Sequence, residues 1–163
     1  MQKSEIKSVL VLGSTSDVAK SIIFELAFNG CKIFHLIARD SHKNQKIMDV
    51  LVKKFGAHVT CETANLLNDS QINNISKTKV DDFDLYLITA GSLGDSELAR
   101  SDYLEALRIN AVNYTGIIKW LTQIVTPQRI LKPSRLWVFS SVAGDIGRPS
   151  NYHYGDRKST RLN

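Results

Sequence analysis

Short apolar runs and helical apolar stripes alternate along this chain from one end to the other. VLVL (9–12) is a continuous apolar run closed by Gly13, the pattern of a strand buried on both faces. Val18, Ile22, Ile23 and Leu26 then recur at helical spacing, and Gly30 is the expected stop. KIFHLIA (32–38) predicts a second strand. Ser41 is placed to cap a helix carrying Ile47, Met48, Leu51, Val52 and Phe55, which Gly56 ends. HVTCE (58–62) predicts a third strand, NDSQINNIS (68–76) a short helix, and DLYLITAG (84–91) a fourth strand. Ser101 is expected to cap a helical stretch that bends near Asn113. The stretch resumes through Ile117, Trp120, Leu121, Ile124 and Val125, and RLWVFS (135–140) predicts a fifth strand.

Strict alternation of strand and helix implies an α/β fold, a doubly wound parallel sheet with helices on both faces, as in the Rossmann fold. Such a fold of the six-strand kind is built from two halves. The pattern supplies three strands for the first half and two for the second. A sixth strand is therefore expected but missing, and the domain is expected to be incomplete in its second half.

Composition narrows the function classes. The 163 residues are 43% hydrophobic and 23% charged, which suits one globular domain. No apolar run approaches the roughly 18 residues of a membrane span, and MQKSEIKS lacks the apolar core of a signal peptide. A cytoplasmic location is the expectation. Cys31 and Cys61 are widely separated beside predicted strands and are expected to be buried reduced thiols. The histidines at 35, 42, 58 and 153 have no metal-ligand spacing, so no metal site is expected. The net charge is +5, of which Arg157, Lys158 and Arg161 against Asp156 supply +2. Much of the rest comes from Lys43, Lys46, Lys53 and Lys54, read as a solvated helix face, so no nucleic-acid partner is expected.

The turn after the first strand reads LGSTSDVA (12–19). A strand entering a helix N-terminus through a tight turn suits a phosphate, because free amides and the helix dipole face the anion. A kinase-type phosphate loop is excluded, because Ala19 and not glycine precedes Lys20-Ser21. Taken alone, an ordinary strand-to-helix turn fits as well. The second strand ends Ala38-Arg39-Asp40. An acid near this point suits the ribose hydroxyl of NAD, whereas an arginine suits the 2′-phosphate of NADP. NADP is therefore the expected cofactor and NAD the alternative. A surface arginine paired with Asp40 is the competing reading of Arg39. An S-adenosylmethionine site would favour an acid here, which sets methyltransferases back.

Ser141, Tyr154 and Lys158 stand in the spacing S-x12-Y-x3-K. Here the chain resembles the short-chain dehydrogenase/reductase family, over residues 7–155. The family's glycine motif falls on Leu12, Gly13, Asp17 and Ala19, and its motif after strand four on Ile88-Thr89-Ala90-Gly91. The mid-helix asparagine falls on Asn113, and the acid that contacts adenine on Asn65. The resemblance implies hydride transfer between nicotinamide and a carbonyl or alcohol. Tyr154 would be the proton donor, Ser141 would orient the substrate oxygen, Asn113 would hold the helix bend and a relay water, and Lys158 would stabilise the phenolate. It further implies cofactor contacts from Gly13, Ser14, Ser16, Asp17, Val18, Arg39, Asn65, Leu66, Ala90, Gly91 and Tyr154.

The chain departs from that pattern in places. Asp17 stands where the second glycine meets the pyrophosphate, and its charge opposes that anion unless the carboxylate turns away. Ala19 replaces the third glycine and Thr89 an asparagine. AGSLGD (90–95), NYTG (113–116) and SSVAGDIGRPSNYHYG (140–155) are similar to the branch that includes decaprenylphosphoryl 2-keto-pentose reductases. That likeness implies a keto-sugar substrate, free or lipid-linked. A homo-oligomer is also expected, with the helix from Ile117 to Val125 able to pack on its own sheet or on another copy. The alternative to an enzyme is a non-catalytic dinucleotide-binding regulator or an inactive fragment.

The last eight residues, DRKSTRLN (156–163), are also the translation of a common sequencing-library adapter. They are expected to be a non-native tail after residues 1–155, with Lys158 in the catalytic position by coincidence of frame. An open sheet flank would leave the chain with little turnover.

Overall fold

The computed structural model describes residues 6–78, 83–124, 133–141 and 153–155. Five strands form one parallel sheet in the order β3-β2-β1-β4-β5. They are β1 (Ser8–Leu12), β2 (Ile33–Ala38), β3 (His58–Thr63), β4 (Leu85–Ile88) and β5 (Arg135–Val138). The helices are α1 (Asp17–Phe28), α2 (Ser41–Phe55), α3 (Asp69–Thr78), α4 (Tyr103–Asn110) and α5 (Gly116–Ile124). A wide π turn, Ala111–Thr115, joins α4 to α5 and is the expected bend at Asn113. Among the described residues no helix is long and apolar enough to cross a membrane.

Side chains alternate across a strand, so one apolar run feeds two cores. Val9 and Val11, with Phe34, Leu36, Leu85 and Leu87, face Ile23 and Leu26 of α1 and Ile47 and Leu51 of α2. Leu10 and Leu12, with Ile37, Tyr86 and Ile88, face Ile72 and Ile75 of α3 and Ile117 and Trp120 of α5. Continuous apolar strands are what a sheet covered on both sides requires. The edge strand β3 is less buried and carries Thr60, Glu62 and Thr63.

Local chemistry sets the helix ends and moves several of them by one residue from the sequence expectation. Ser16 caps α1, its hydroxyl accepting the Ala19 amide at 3.1 Å. Asp40, and not Ser41, caps α2 by accepting the Lys43 amide at 2.9 Å. Asp102, and not Ser101, caps α4 by accepting the Leu104 amide at 2.8 Å. In both pairs the carboxylate residue has the extended backbone that a cap needs, while the serine is already folded into the adjoining helix or turn. Gly56 ends α2 with φ +59°, and Lys53 and Lys54 in its last turn complement the helix dipole.

Two apolar residues assigned to buried helix faces are not buried. Val18 is 49% and Val52 46% exposed, because each sits at the rim of its stripe and the sheet reaches only the inner residues. Cys31 is buried and Cys61 half-buried, and both thiols are free. Burial pushes the Cys31 thiol up to about 11, so it stays protonated at neutral pH. Val125 lies outside the described residues.

The central strand is fixed at both ends by β4 and its flanks. At the base, Asp84 Oδ2 accepts the amides of Lys7 and Ser8 at 2.8 and 2.9 Å and the Ser8 hydroxyl at 3.1 Å. At the top, Gly13 adopts φ +89°, and a Cβ there would lie 2.5 Å from the Ala90 nitrogen. Backbone meets backbone at this point, so neither side can yield cheaply. Gly13→Ala is expected to lower stability by at least about 2 kcal/mol, from the left-handed φ and the overpacking together. Urea unfolding checks this, and an unchanged midpoint would count against the contact.

Candidate functional site

The chain runs outward from β1 to β3, then crosses back to β4 on the other side of β1. Where the order reverses, the loops leaving β1 and β4 part and a crevice opens at the strand C-termini. A cleft of about 620 Å³ lies there. Gly13, Thr15 and Ser16 line it from the first turn, Arg39, Asp40 and Lys43 from the end of β2 and the start of α2, and Asn65 and Leu66 from beyond β3. Thr89, Ala90 and Gly91 close it from β4, and Val112 from the wide turn.

The first turn is held from three sides. Gly13 and Ser14 donate their amides to Ile37 O at 2.8 and 3.3 Å. The Thr89 hydroxyl donates to the carbonyls of Leu12 and Gly13 at 3.1 and 3.0 Å, so threonine in the asparagine position serves the turn directly. Ser14 is fully buried and does not line the cleft; its hydroxyl donates to Asn44 Oδ1 at 2.6 Å. Asn44 in turn donates to Leu36 O at 2.9 Å. The side chain expected to touch cofactor is therefore a brace, tying the turn to α2 and β2.

Asp17 does not oppose an anion in the cleft. Its side chain is 98% exposed and pairs with Lys20 at 2.9 Å on the outside of α1. The Lys20 hydrogen bond and charge hold its carboxyl below the usual range. With Ser16 as the cap, the remaining first-turn amides of α1, including those of Asp17 and Val18, have no partner within the helix.

The opposite end of the cleft is cationic. Arg39 is exposed, lines the cleft and forms no ion pair among the described residues. Asp40 pairs instead with Lys43 at 3.6 Å, so the competing reading of Arg39, a surface arginine paired with Asp40, is not what the structure has. Lys43 also lines the cleft, although the sequence reading left it on a solvated helix face. Asn65 lines the cleft, and its Oδ1 accepts the Leu67 amide at 3.0 Å.

Asn113 is fully buried in the wide turn. It accepts the Ser92 amide at 3.0 Å and donates to Ser92 O at 2.7 Å and Ile109 O at 2.9 Å. Ser141 is half-buried and follows β5, whose end is paired to β4 by the Phe139 amide on Ile88 O at 2.9 Å. Tyr154 is half-buried within three helical residues, 153–155. Neither Ser141 nor Tyr154 lines the cleft, and Lys158 lies outside the described residues. Sequence reasoning missed Thr15, Lys43, Asn44 and Val112. Only Asn44 carried a signal, a polar residue on the apolar stripe three before Ile47.

The donor set fits a dinucleotide. Gly13, Thr15 and Ser16 border the cleft where the turn enters the α1 N-terminus, and Arg39 and Lys43 line it from the end of β2 and the first turn of α2. This is a doubly wound parallel α/β fold, with its cleft at the switch point. No family model matches the chain. It is similar to an uncharacterised oxidoreductase of Streptomyces coelicolor, 31% identical over 156 residues covering 94% of this chain and 61% of the relative. A 3-oxoacyl-[acyl-carrier-protein] reductase of Synechocystis is 25% identical over 156 residues, 92% of this chain and 62% of that protein. The solved actinorhodin polyketide ketoreductase with NADPH superposes with TM-score 0.83 at 20% identity, over 99% of this chain and 63% of that one. The chain thus spans about six-tenths of the length of the curated relatives it matches. The solved short-chain dehydrogenases and ketoreductases on which it superposes share its fold at 20% identity or below.

Two outcomes test the site's framework. Asn44→Leu leaves the Ser14 hydroxyl only Ile37 O at 3.4 Å and removes the amide donor to Leu36 O, and is expected to cost about 1–3 kcal/mol in urea unfolding. A loss below about 0.5 kcal/mol would show that the brace is dispensable. Glu105 on α4 is held at about 2 by the Arg108 guanidinium and the Asp95 amide. That value is depressed, so the stabilisation is complete above the ordinary carboxylate range and is lost as pH falls through about 2. Urea midpoints from pH 6 down to pH 2 should fall more steeply for the wild type than for Glu105→Gln, and identical slopes would contradict this.

Proposed function

We propose that this chain is the dinucleotide-binding part of an NADP-dependent oxidoreductase of the short-chain dehydrogenase/reductase family, acting on a carbonyl substrate. The observation that carries the reading is the cleft at the β1/β4 switch point, lined by Arg39 and Lys43 on one side and by Gly13, Thr15 and Ser16 of the first turn. Arg39 would pair with the 2′-phosphate as a bidentate fork, and Lys43 would add a point charge beside it. Asn65 Nδ2 would donate to the adenine ring. Gly13, Ser16, Ala90 and Gly91 would border the middle of the cofactor, and the backbone of Asp17 and Val18 would meet the pyrophosphate. Leu66 would pack beside the adenosine.

A nicotinamide held in the cleft would supply the hydride chemistry for a carbonyl carbon. Tyr154 gives its phenolic proton to the carbonyl oxygen, so that an alcohol leaves and a phenolate remains to be reprotonated. Ser141 donates to the same oxygen and sets its direction. Asn113 keeps the wide turn open and fixes the backbone at Ser92. Lys158 is proposed to be adapter-encoded with the rest of 156–163. Long-read sequencing across codon 155 tests that, and a genomic DRKSTRLN would restore Lys158 to the site.

A keto-sugar is the substrate class carried by the likeness of AGSLGD, NYTG and the 140–155 stretch; the relatives' names speak for 3-oxoacyl and polyketide carbonyls in those proteins. Both kinds of ketone belong in an activity panel. Tyr103 and Leu104, among the most exposed large apolar residues, give α4 a surface that suits a homo-oligomer, while Ile117 and Trp120 of α5 pack on the chain's own sheet.

Binding decides the cofactor. NADPH is expected to bind more tightly than NADH, and Arg39→Ala to weaken NADPH about 10- to 100-fold while leaving NADH unchanged. Calorimetric titration checks this, and equal losses for both would remove Arg39 from the 2′-phosphate. In a full-length version, Tyr154→Phe is expected to abolish carbonyl reduction and spare NADPH binding; retained turnover would sink the catalytic assignment.

A further inference from the structure

The segment that follows Gly91 leaves the cleft and is tied to residues of α4 and of the wide turn that continues it. At its start, Asn113 holds both the amide and the carbonyl of Ser92. At its end, Glu105 Oε1 accepts the Asp95 amide at 2.8 Å. Between the two ties, Gly94 crosses α4 with φ +69°, and a Cβ there would lie 2.4 Å from Ile109 Cγ1 and 2.7 Å from Glu105 Oε1. The three anchors, 105, 109 and 113, are four residues apart. Over eight residues a regular helix overshoots whole turns by about 80°. The wide turn rotates less per residue and takes up part of that overshoot, which brings Asn113 back towards the line of Glu105 and Ile109.

Glu105 is itself immobilised. Arg108 grips both of its oxygens, Nε on Oε2 at 2.6 Å and Nη2 on Oε1 at 2.7 Å. Its side chain is only 10% exposed, and that of Arg108 37%. An ordinary surface pair three residues apart has no reason to spend one of its oxygens on a loop amide 10 residues away. The tied segment holds itself further: Ser92 Oγ accepts the Gly94 amide at 3.3 Å, and Asp95 Oδ1 accepts the amides of Glu97 and Leu98 at 3.1 and 3.0 Å. Leu93 is left 59% exposed on its outer side.

We propose that Glu105, locked by Arg108, is a positioning residue that fixes the backbone of 92–95 and thereby the Thr89–Gly91 wall of the cleft. This rests on the dinucleotide reading of the cleft and deepens it. Glu105 touches neither cofactor nor substrate; it sets the width of the cleft at the end remote from Arg39.

Two variants of the full chain test the role, Glu105→Ala and the swap Glu105→Arg with Arg108→Glu. The swap keeps an ion pair on α4 but leaves the Asp95 amide without its acceptor. Amide exchange at Asp95 is expected to rise about tenfold or more in both variants, with the amides of Leu10 and Leu36 unchanged as the measure of an intact core. NADPH, which spans the cleft, is expected to bind about 3- to 10-fold more weakly to both, whereas 2′,5′-ADP, which fills only the Arg39 end, binds as before. Unchanged exchange at Asp95 would overturn the tie. Full recovery by the swap, equal losses for the two probes, or no loss for either would overturn the positioning role while leaving the dinucleotide reading in place. A wild-type chain that binds neither probe would overturn the dinucleotide reading and the positioning role with it.

Discussion

The contact between Gly13 and Ala90 is the constraint on which the rest of the site depends. Two loops leave neighbouring parallel strands, and their backbones meet so closely that no side chain fits between them. Because the turn cannot spread toward β4, it rises over the end of β2, where Ile37 O collects its amides. That path delivers Ser16 to the start of α1 as a cap and leaves the cleft open above the strand ends. Thr89 strengthens the same junction from the other side, with one hydroxyl shared between two carbonyls of the turn. The glycine thus serves the protein's own backbone at least as much as any ligand.

Charge is sorted around that junction. The one acid in the turn, Asp17, is drawn outward by Lys20, and the acid at the end of β2, Asp40, is committed to capping α2. With Asp17 drawn away and Asp40 sharing its charge with Lys43, Arg39 is left as the cation of the cleft that has no ion pair among the described residues. Neither acid had to be removed from the sequence for the cleft to suit an anion, because each had a better partner nearby.

The strands and their order of burial were legible from the sequence because a doubly covered sheet demands unbroken apolar runs, and few other folds do. Helix caps were legible only to within a residue. Asp40-Ser41 and Ser101-Asp102 each offer two capable side chains, and the choice belongs to the backbone bend, which composition does not encode. Arg39 lines the cleft at the strand end where its charge was read, and Gly13, Asn65, Ala90 and Gly91 line it as the family resemblance implies. Lys43 was hidden among identical lysines, since what separates it from Lys46 or Lys54 is only the direction of one helix turn. The ties of Ser14 to Asn44 and of Asp95 to Glu105 join residues 30 and 10 apart through single atoms, and no periodicity announces such pairings.

The order of strands has a consequence for how the molecule comes into being. β1 meets β2 across a short stretch of chain, Ser8 opposite Ile33, but its clamp to β4 joins residues 76 apart. Closing the longer loop costs more chain entropy, so the β1–β2–β3 half can assemble first and β4 docks onto an edge already formed. The cleft lies at the seam between these two events. It exists only once the later one is complete, and a ligand that fills it would hold the two halves of the sheet together, coupling occupancy to the final step of folding.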